Sequence, residues 1–259
     1  MSYFIENLEV IKDIDKELYD GILALDNVVD NIQTIDSKVA KDGSKYLEIY
    51  IGDKAVAMNS TYKPEVEADK YAQRFEMYKN ESQIFVFGFG NGVFPRSILK
   101  NNQENNKYFF YEPNVEVFFH ILKNYDIRDI LNDKNVVLFV EGLNTEKMQI
   151  YVTSCVTYKN FEKFYVENLP KYKEIYEGVF FAATSMCQNI RNYAQADFNT
   201  RKLYSQKTVS NYVANLKYIF DANVIEDYRE SIPCDIPVFI VGAGPSLAKN
   251  IKLLKEVKN

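Results

Sequence analysis

The chain has 259 residues, with 31 basic and 36 acidic side chains, a net charge of −5, and 47% hydrophobic and 15% aromatic residues. That is enough apolar material for a sizeable core in one large domain or two modest ones, and the acidic balance argues against a general nucleic-acid binder. No window reaches the roughly 18 uninterrupted apolar residues of a membrane helix. The start, MSYFIENLEVIKD, lacks the basic flank and apolar run of a signal peptide. Cys155, Cys187 and Cys234 form no CxxC pair, so structural thiols in a soluble cytoplasmic protein are expected.

Ile5, Leu8, Ile11, Ile14, Leu18, Ile22 and Leu25 recur at helical spacing and predict one helix over 5–26. Tyr46–Ile51 and Lys54–Met58, joined through Gly52 and Asp53, predict a β-hairpin. Pro64–Lys79 is polar and helical, so residues 1–80 are expected to form a small α+β cap. From 81 to 185 the texture is Rossmann-like α/β. Continuous apolar runs at Ile84–Phe87, Tyr108–Tyr111 and Val136–Val140 alternate with helical stretches near Pro95–Leu99 and Val115–Asn124, which indicates a parallel sheet. Val179–Ala182 is a candidate for a further strand.

Residues 186–232 are expected to be a helical connection. Val209, Tyr212, Val213, Leu216, Ile219 and Phe220 recur at three- and four-residue steps. Packing against the preceding domain is the favoured role for that face, and a homodimer seam through 205–259 is the other. Pro233 and Pro237 then mark a junction, and residues 233–259 begin a new strand–turn–helix unit.

Two glycine turns are candidate binding sites. Gly88-Phe89-Gly90-Asn91-Gly92 lies between a buried strand and a helix, where free N–H groups would favour a phosphate or carboxylate. Glu112 ends the next strand, where an acidic side chain can accept from ribose hydroxyls. Asn91, Asn114 and Glu141 lie at the same strand-end edge. The spacing is GxGxG, nearer to binders of S-adenosylmethionine than to dinucleotide binders. Alternatively the glycines merely permit close helix–sheet packing and Glu112 is a solvated strand end. His120, the single histidine, sits among Phe118, Phe119, Ile121 and Leu122 and is expected to be a packed or rim residue. No catalytic residue and no metal cluster emerge.

The second turn, Pro237-Val-Phe-Ile-Val-Gly242-Ala-Gly244-Pro245-Ser246-Leu247, is denser. Pro245 suits the first turn of a helix, and the Ser246 hydroxyl lies close to where a phosphate would dock.

The segments FVFGFGNG, YFFYEPN, Asn199-Thr200, Ala214-Asn-Leu216 and IPVFIVGAGPSLAKNIKLLKEVK together resemble the Maf (motility-associated factor) family, related to a domain family likened to hydroxymethylpterin pyrophosphokinases. The resemblance covers most of 45–259. It implies a glycosyltransferase that moves a nonulosonic acid from a CMP-activated donor to Ser or Thr of flagellin, by an inverting displacement at the anomeric carbon. It also implies a match of Gly242, Gly244, Pro245, Ser246 and Leu247 to the Gly-Asn-Gly-Pro-Ser-Leu turn of bacterial sialyltransferases, with Ala243 in place of the asparagine. On that resemblance the rest of the transferase domain lies beyond Asn259, and this chain alone is expected to be inactive. Two other readings stand beside it: a non-catalytic module for acceptor recognition or assembly, and a methyltransferase-like binder of S-adenosylmethionine at Gly88–Gly92.

Overall fold

The computed structural model describes residues 3–25, 35–101, 105–220 and 222–228, with isolated positions at Gly242, Gly244, Leu247 and Lys252. Residues 1–203 form one compact unit and residues 204–259 a second.

The first unit opens with two helices, α1 (Phe4–Ile14) and α2 (Lys16–Leu25), where the periodicity had predicted one. The break is at Asp15, whose backbone is extended (φ −147°) and whose Oδ1 accepts from Leu18 N at 3.0 Å. A side-chain cap of this kind begins a new helix instead of extending the old one. Ile11, Leu18 and Ile22 still share one buried face.

Strands β1 (Ile35–Val39), β2 (Lys45–Ile51) and β3 (Lys54–Ala57) form an antiparallel sheet in that order. The β2–β3 hairpin turns through Gly52 at φ +59°, a conformation that glycine adopts without steric cost. Strand β1, IDSKV, was not anticipated, because only its ends are apolar.

After α3 (Pro64–Ala72) and a 3-10 turn over Gln73–Met77, the chain enters the larger sheet. Its elements are β4 (Gln83–Phe87), α4 (Val93–Lys100), β5 (Lys107–Glu112), α5 (Val115–Asn124), α6 (Arg128–Leu131), β6 (Val136–Val140), α7 (Met148–Cys155), β7 (Phe164–Asn168), α8 (Tyr172–Ile175) and α9 (Glu177–Ile219). The four strands are parallel in the order β6-β5-β4-β7, and the fold is α/β and Rossmann-like. Ile84, Phe85, Val86 and Phe87 are wholly buried, as are Tyr108, Phe109 and Phe110. A parallel strand covered on both faces reads as an unbroken apolar run, which is why β4 and β5 were visible in the sequence.

Val179–Ala182 is not a strand. It lies in the first turns of α9, where Phe180 meets Phe87 edge-on at 5.2 Å while its neighbour Phe181 is exposed. The fourth strand is β7, FYVEN. Further along α9, Ala183, Cys187, Ile190 and Ala194 are buried at helical spacing.

Both open edges of the parallel sheet are blunted by side chains. On the β6 side, Asn144 accepts from Val140 N (2.8 Å) and donates to Leu138 O (2.9 Å) and to Asp15 Oδ2 (2.8 Å). On the β7 side, Tyr71 donates to Asn168 O (2.5 Å) and Arg191 donates to Phe164 O. Edge groups occupied in this way are less free to template strand addition.

In the second unit the described elements are the remainder of α9 from Tyr204 and a 3-10 turn over Ile225–Tyr228. On this part of the helix Val209, Tyr212, Val213, Ile219 and Phe220 are all exposed. Among the described residues, no helix is long and apolar enough to cross a membrane.

Candidate functional site

The loops at the C-terminal ends of parallel strands are where such folds bind ligands, and the first glycine turn lies there. Gly88, Gly90 and Gly92 all have positive φ, at +105°, +61° and +85°. At Gly88 an added Cβ would stand 2.7 Å from the ring of Tyr172, so the glycine is required both by its backbone and by its neighbour. At Gly92 the same atom would stand 3.0 Å from Arg96 Nη1 and from Ile130 Cδ1.

Two N–H groups of the turn point inward, onto the chain's own carboxylate. Phe89 N and Gly90 N donate to Glu112 Oε2 at 3.2 and 3.3 Å. Asn114 N donates to Oε1 at 3.2 Å. The Tyr172 hydroxyl completes the cluster, donating to Glu112 Oε2 at 2.7 Å and accepting from Gly90 N at 2.8 Å. Glu112 is wholly buried. Its side chain is therefore not the solvated strand end of one sequence reading, and its oxygens accept from donors of the protein itself.

Burial raises the Glu112 carboxyl to about 7, against the downward pull of its donors, of which the Tyr172 hydroxyl is the strongest. Burial and the neighbouring carboxylate push the Tyr172 phenol well up, so it stays neutral and able to donate.

The other predicted edge residues serve local structure. Asn114 caps α5, its Oδ1 accepting from Glu116 N (2.8 Å) and Val117 N (3.2 Å). Asn91 donates to Lys45 O at 3.3 Å, tying the turn to the antiparallel sheet. Glu141 accepts from the Tyr111 hydroxyl. His120 is half-buried and within hydrogen-bond distance of Ser37 Oγ (2.8 Å), and burial lowers its imidazole from the ordinary value.

The sequence reading missed Tyr172 and Tyr176. Tyr172 is 60 residues from Glu112, and its surroundings, KYKEIYE, carry no motif. The Tyr176 hydroxyl is enclosed without a hydrogen-bond partner among the described residues.

Two open clefts lie away from the turn. One of about 550 Å³ runs between α2 and β6, lined by Asp15, Glu17, Asn132 and Lys147. The other, about 460 Å³, follows β7 and α9, lined by Tyr78, Glu167, Gln188 and Arg191. Among the described residues no cluster of His, Cys, Asp or Glu could hold a metal ion.

Of the second glycine turn, Gly242, Gly244 and Leu247 are described: Gly244 N donates to Gly242 O at 2.9 Å and Leu247 N to Gly244 O at 3.0 Å. Ala243, Pro245 and Ser246, the predicted strand 238–241 and Cys234 lie outside the described residues.

No family model and no curated protein matches this chain. Among solved structures, the crystal structure of MNMC2 from Aquifex aeolicus is similar over 53% of this chain and 55% of that chain, at 15% identity and a TM-score of 0.27. A superposition that loose carries no argument about function.

Proposed function

We propose that the α/β unit is a non-catalytic recognition or assembly module of a Maf-like protein glycosyltransferase. The observation that carries the non-catalytic part is the self-filled glycine turn. Its Phe89 and Gly90 N–H groups, of the kind that in a ligand-binding Rossmann-like fold meet a phosphate or carboxylate, here meet Glu112 and Tyr172. The Maf-like part rests on the motifs at 84–115 and 196–258. Donor chemistry then belongs to the segment headed by Gly242, Gly244, Pro245 and Ser246, with a CMP-activated nonulosonic acid as donor and Ser or Thr of flagellin as acceptor.

Titration calorimetry of the chain with S-adenosylmethionine and with CMP, together with a flagellin pull-down, tests this reading. Retention of flagellin with no heat from S-adenosylmethionine supports it. Saturable binding of S-adenosylmethionine that disappears in Glu112→Gln overturns it, and installs a methyltransferase-like site at the first glycine turn.

A further inference from the structure

The outer part of α9 carries an apolar face that no described residue covers. Val209, Tyr212, Val213, Ile219 and Phe220 are 63%, 61%, 60%, 49% and 85% exposed, and Leu216 lies half-buried among them. At 3.6 residues per turn these six side chains fall within an arc of roughly 120°. Their 209-212-216-219 spacing is the three–four step by which one helix packs along another.

The charge on this segment is one-sided. From Phe198 to Phe220 the chain holds Arg201, Lys202, Lys207 and Lys217 and no acidic residue, although the protein as a whole carries −5. Arg201 is neutralised by Asp197 at 2.9 Å. Lys202, Lys207 and Lys217 form no ion pair among the described residues; Lys217 lies 4.7 Å over the ring of Tyr218. Lys217 borders the apolar face and Lys207 lies on the opposite side of the helix.

We propose that this face docks an amphipathic helix of a partner protein whose apolar seam is flanked by acidic side chains. Charge complementarity selects that occupant. A second copy of this chain would set one net-positive helix segment against another. An anionic lipid surface is matched by helices whose polar face is dense in Lys and Arg. Here that face holds one lysine, Lys207, among Thr208, Ser210, Asn211 and Asn215. The proposal deepens, and rests on, the assembly reading above, naming the partner's chemistry. Failure here with continued silence toward S-adenosylmethionine removes the docking face alone.

The test is fluorescence anisotropy of the full chain against two synthetic helical peptides of about three heptads each. Both carry Leu at the seam positions, one with Glu and one with Lys on the flanks. The Glu-flanked peptide should bind at least about ten-fold more tightly, with a preference that shrinks as salt rises. Val213→Lys and Phe220→Lys, both on exposed positions, should abolish binding with helical content by circular dichroism unchanged. Equal binding of the two peptides, or binding of neither, overturns the proposal. So does a concentration-dependent dimer lost in Val213→Lys, or tighter binding to phosphatidylglycerol vesicles than to the Glu-flanked peptide.

Discussion

The glycine turn at Gly88–Gly92 and the outer half of α9 are opposites in one respect that decides how each can act. At the turn, Phe89 N, Gly90 N, Asn114 N and the Tyr172 hydroxyl all find the same buried carboxylate, so these donors are already engaged within the protein. On α9, the side chains that most need a partner are the exposed ones, from Val209 to Phe220. A motif that looks like a binding site can be a closed structural knot, while a helix with no chemical motif leaves the larger unmet demand for contact. Mutation should therefore hit stability at the turn and association at the helix.

The largest expected effect on stability is at Gly88. Gly88→Ala meets two penalties: a positive φ that L-residues avoid, and a Cβ 2.7 Å from the Tyr172 ring. Together they should cost about 3–5 kcal/mol, a large share of the roughly 5–15 kcal/mol that holds a domain folded. Urea denaturation measures it. A loss below about 1 kcal/mol would mean that the ring can swing away, and the knot is looser than its geometry.

Next is Glu112, whose test is pH dependence. Its folded-state value of about 7 lies above the ordinary 4.5, so the folded protein binds an extra proton between those values. Its contribution to stability is fully present below about pH 4.5 and is lost as pH rises through 7, by up to about 3 kcal/mol. Glu112→Gln cannot titrate, and its amide N–H₂ must face donors at one end or the other, at a cost of about 1–3 kcal/mol. The mutant should therefore be clearly less stable than the wild type at pH 5, and the gap should narrow toward pH 8. A gap independent of pH would show that the four donors, not burial, set the charge of Glu112.

How much of this was legible in the sequence follows from which forces leave a local trace. Strands β4 and β5 were visible because burial on both faces demands an unbroken apolar run. Strand β7 was not, because Tyr165 and Glu167 face Tyr78 and Arg74 and interrupt the pattern. The run Val179–Ala182 misled for the converse reason: four apolar residues in a row fit a buried strand and the first turn of a helix equally well. At the candidate site, GFGNG and Glu112 were correctly placed side by side, since strand–turn–helix order fixes both. What the sequence could not convey is that Tyr172 returns to fill the space between them.

A pair of smaller substitutions sharpens that last point. Tyr172→Phe keeps the ring over Gly88 but removes a hydroxyl that both accepts from Gly90 N and donates to Glu112, and should cost about 1–3 kcal/mol. Tyr176→Phe removes a hydroxyl without a partner among the described residues and should change stability by no more than about 0.5 kcal/mol. Equal losses would mean that the aromatic packing, not the hydrogen bonds, is sensitive here.

The smallest expected effect on stability is on α9. Val213→Lys replaces a side chain that is 60% exposed, on a helix where lysine is a better former than valine, so unfolding should shift by only a few tenths of a kcal/mol and in the stabilising direction. The same substitution is the one expected to abolish capture of the Glu-flanked peptide. That separation is the sharpest form of the comparison: a position whose side chain hardly matters to the isolated chain, yet decides association, is an interface residue. A loss of more than about 1 kcal/mol in the isolated chain would place Val213 in a contact within this protein and remove the free face.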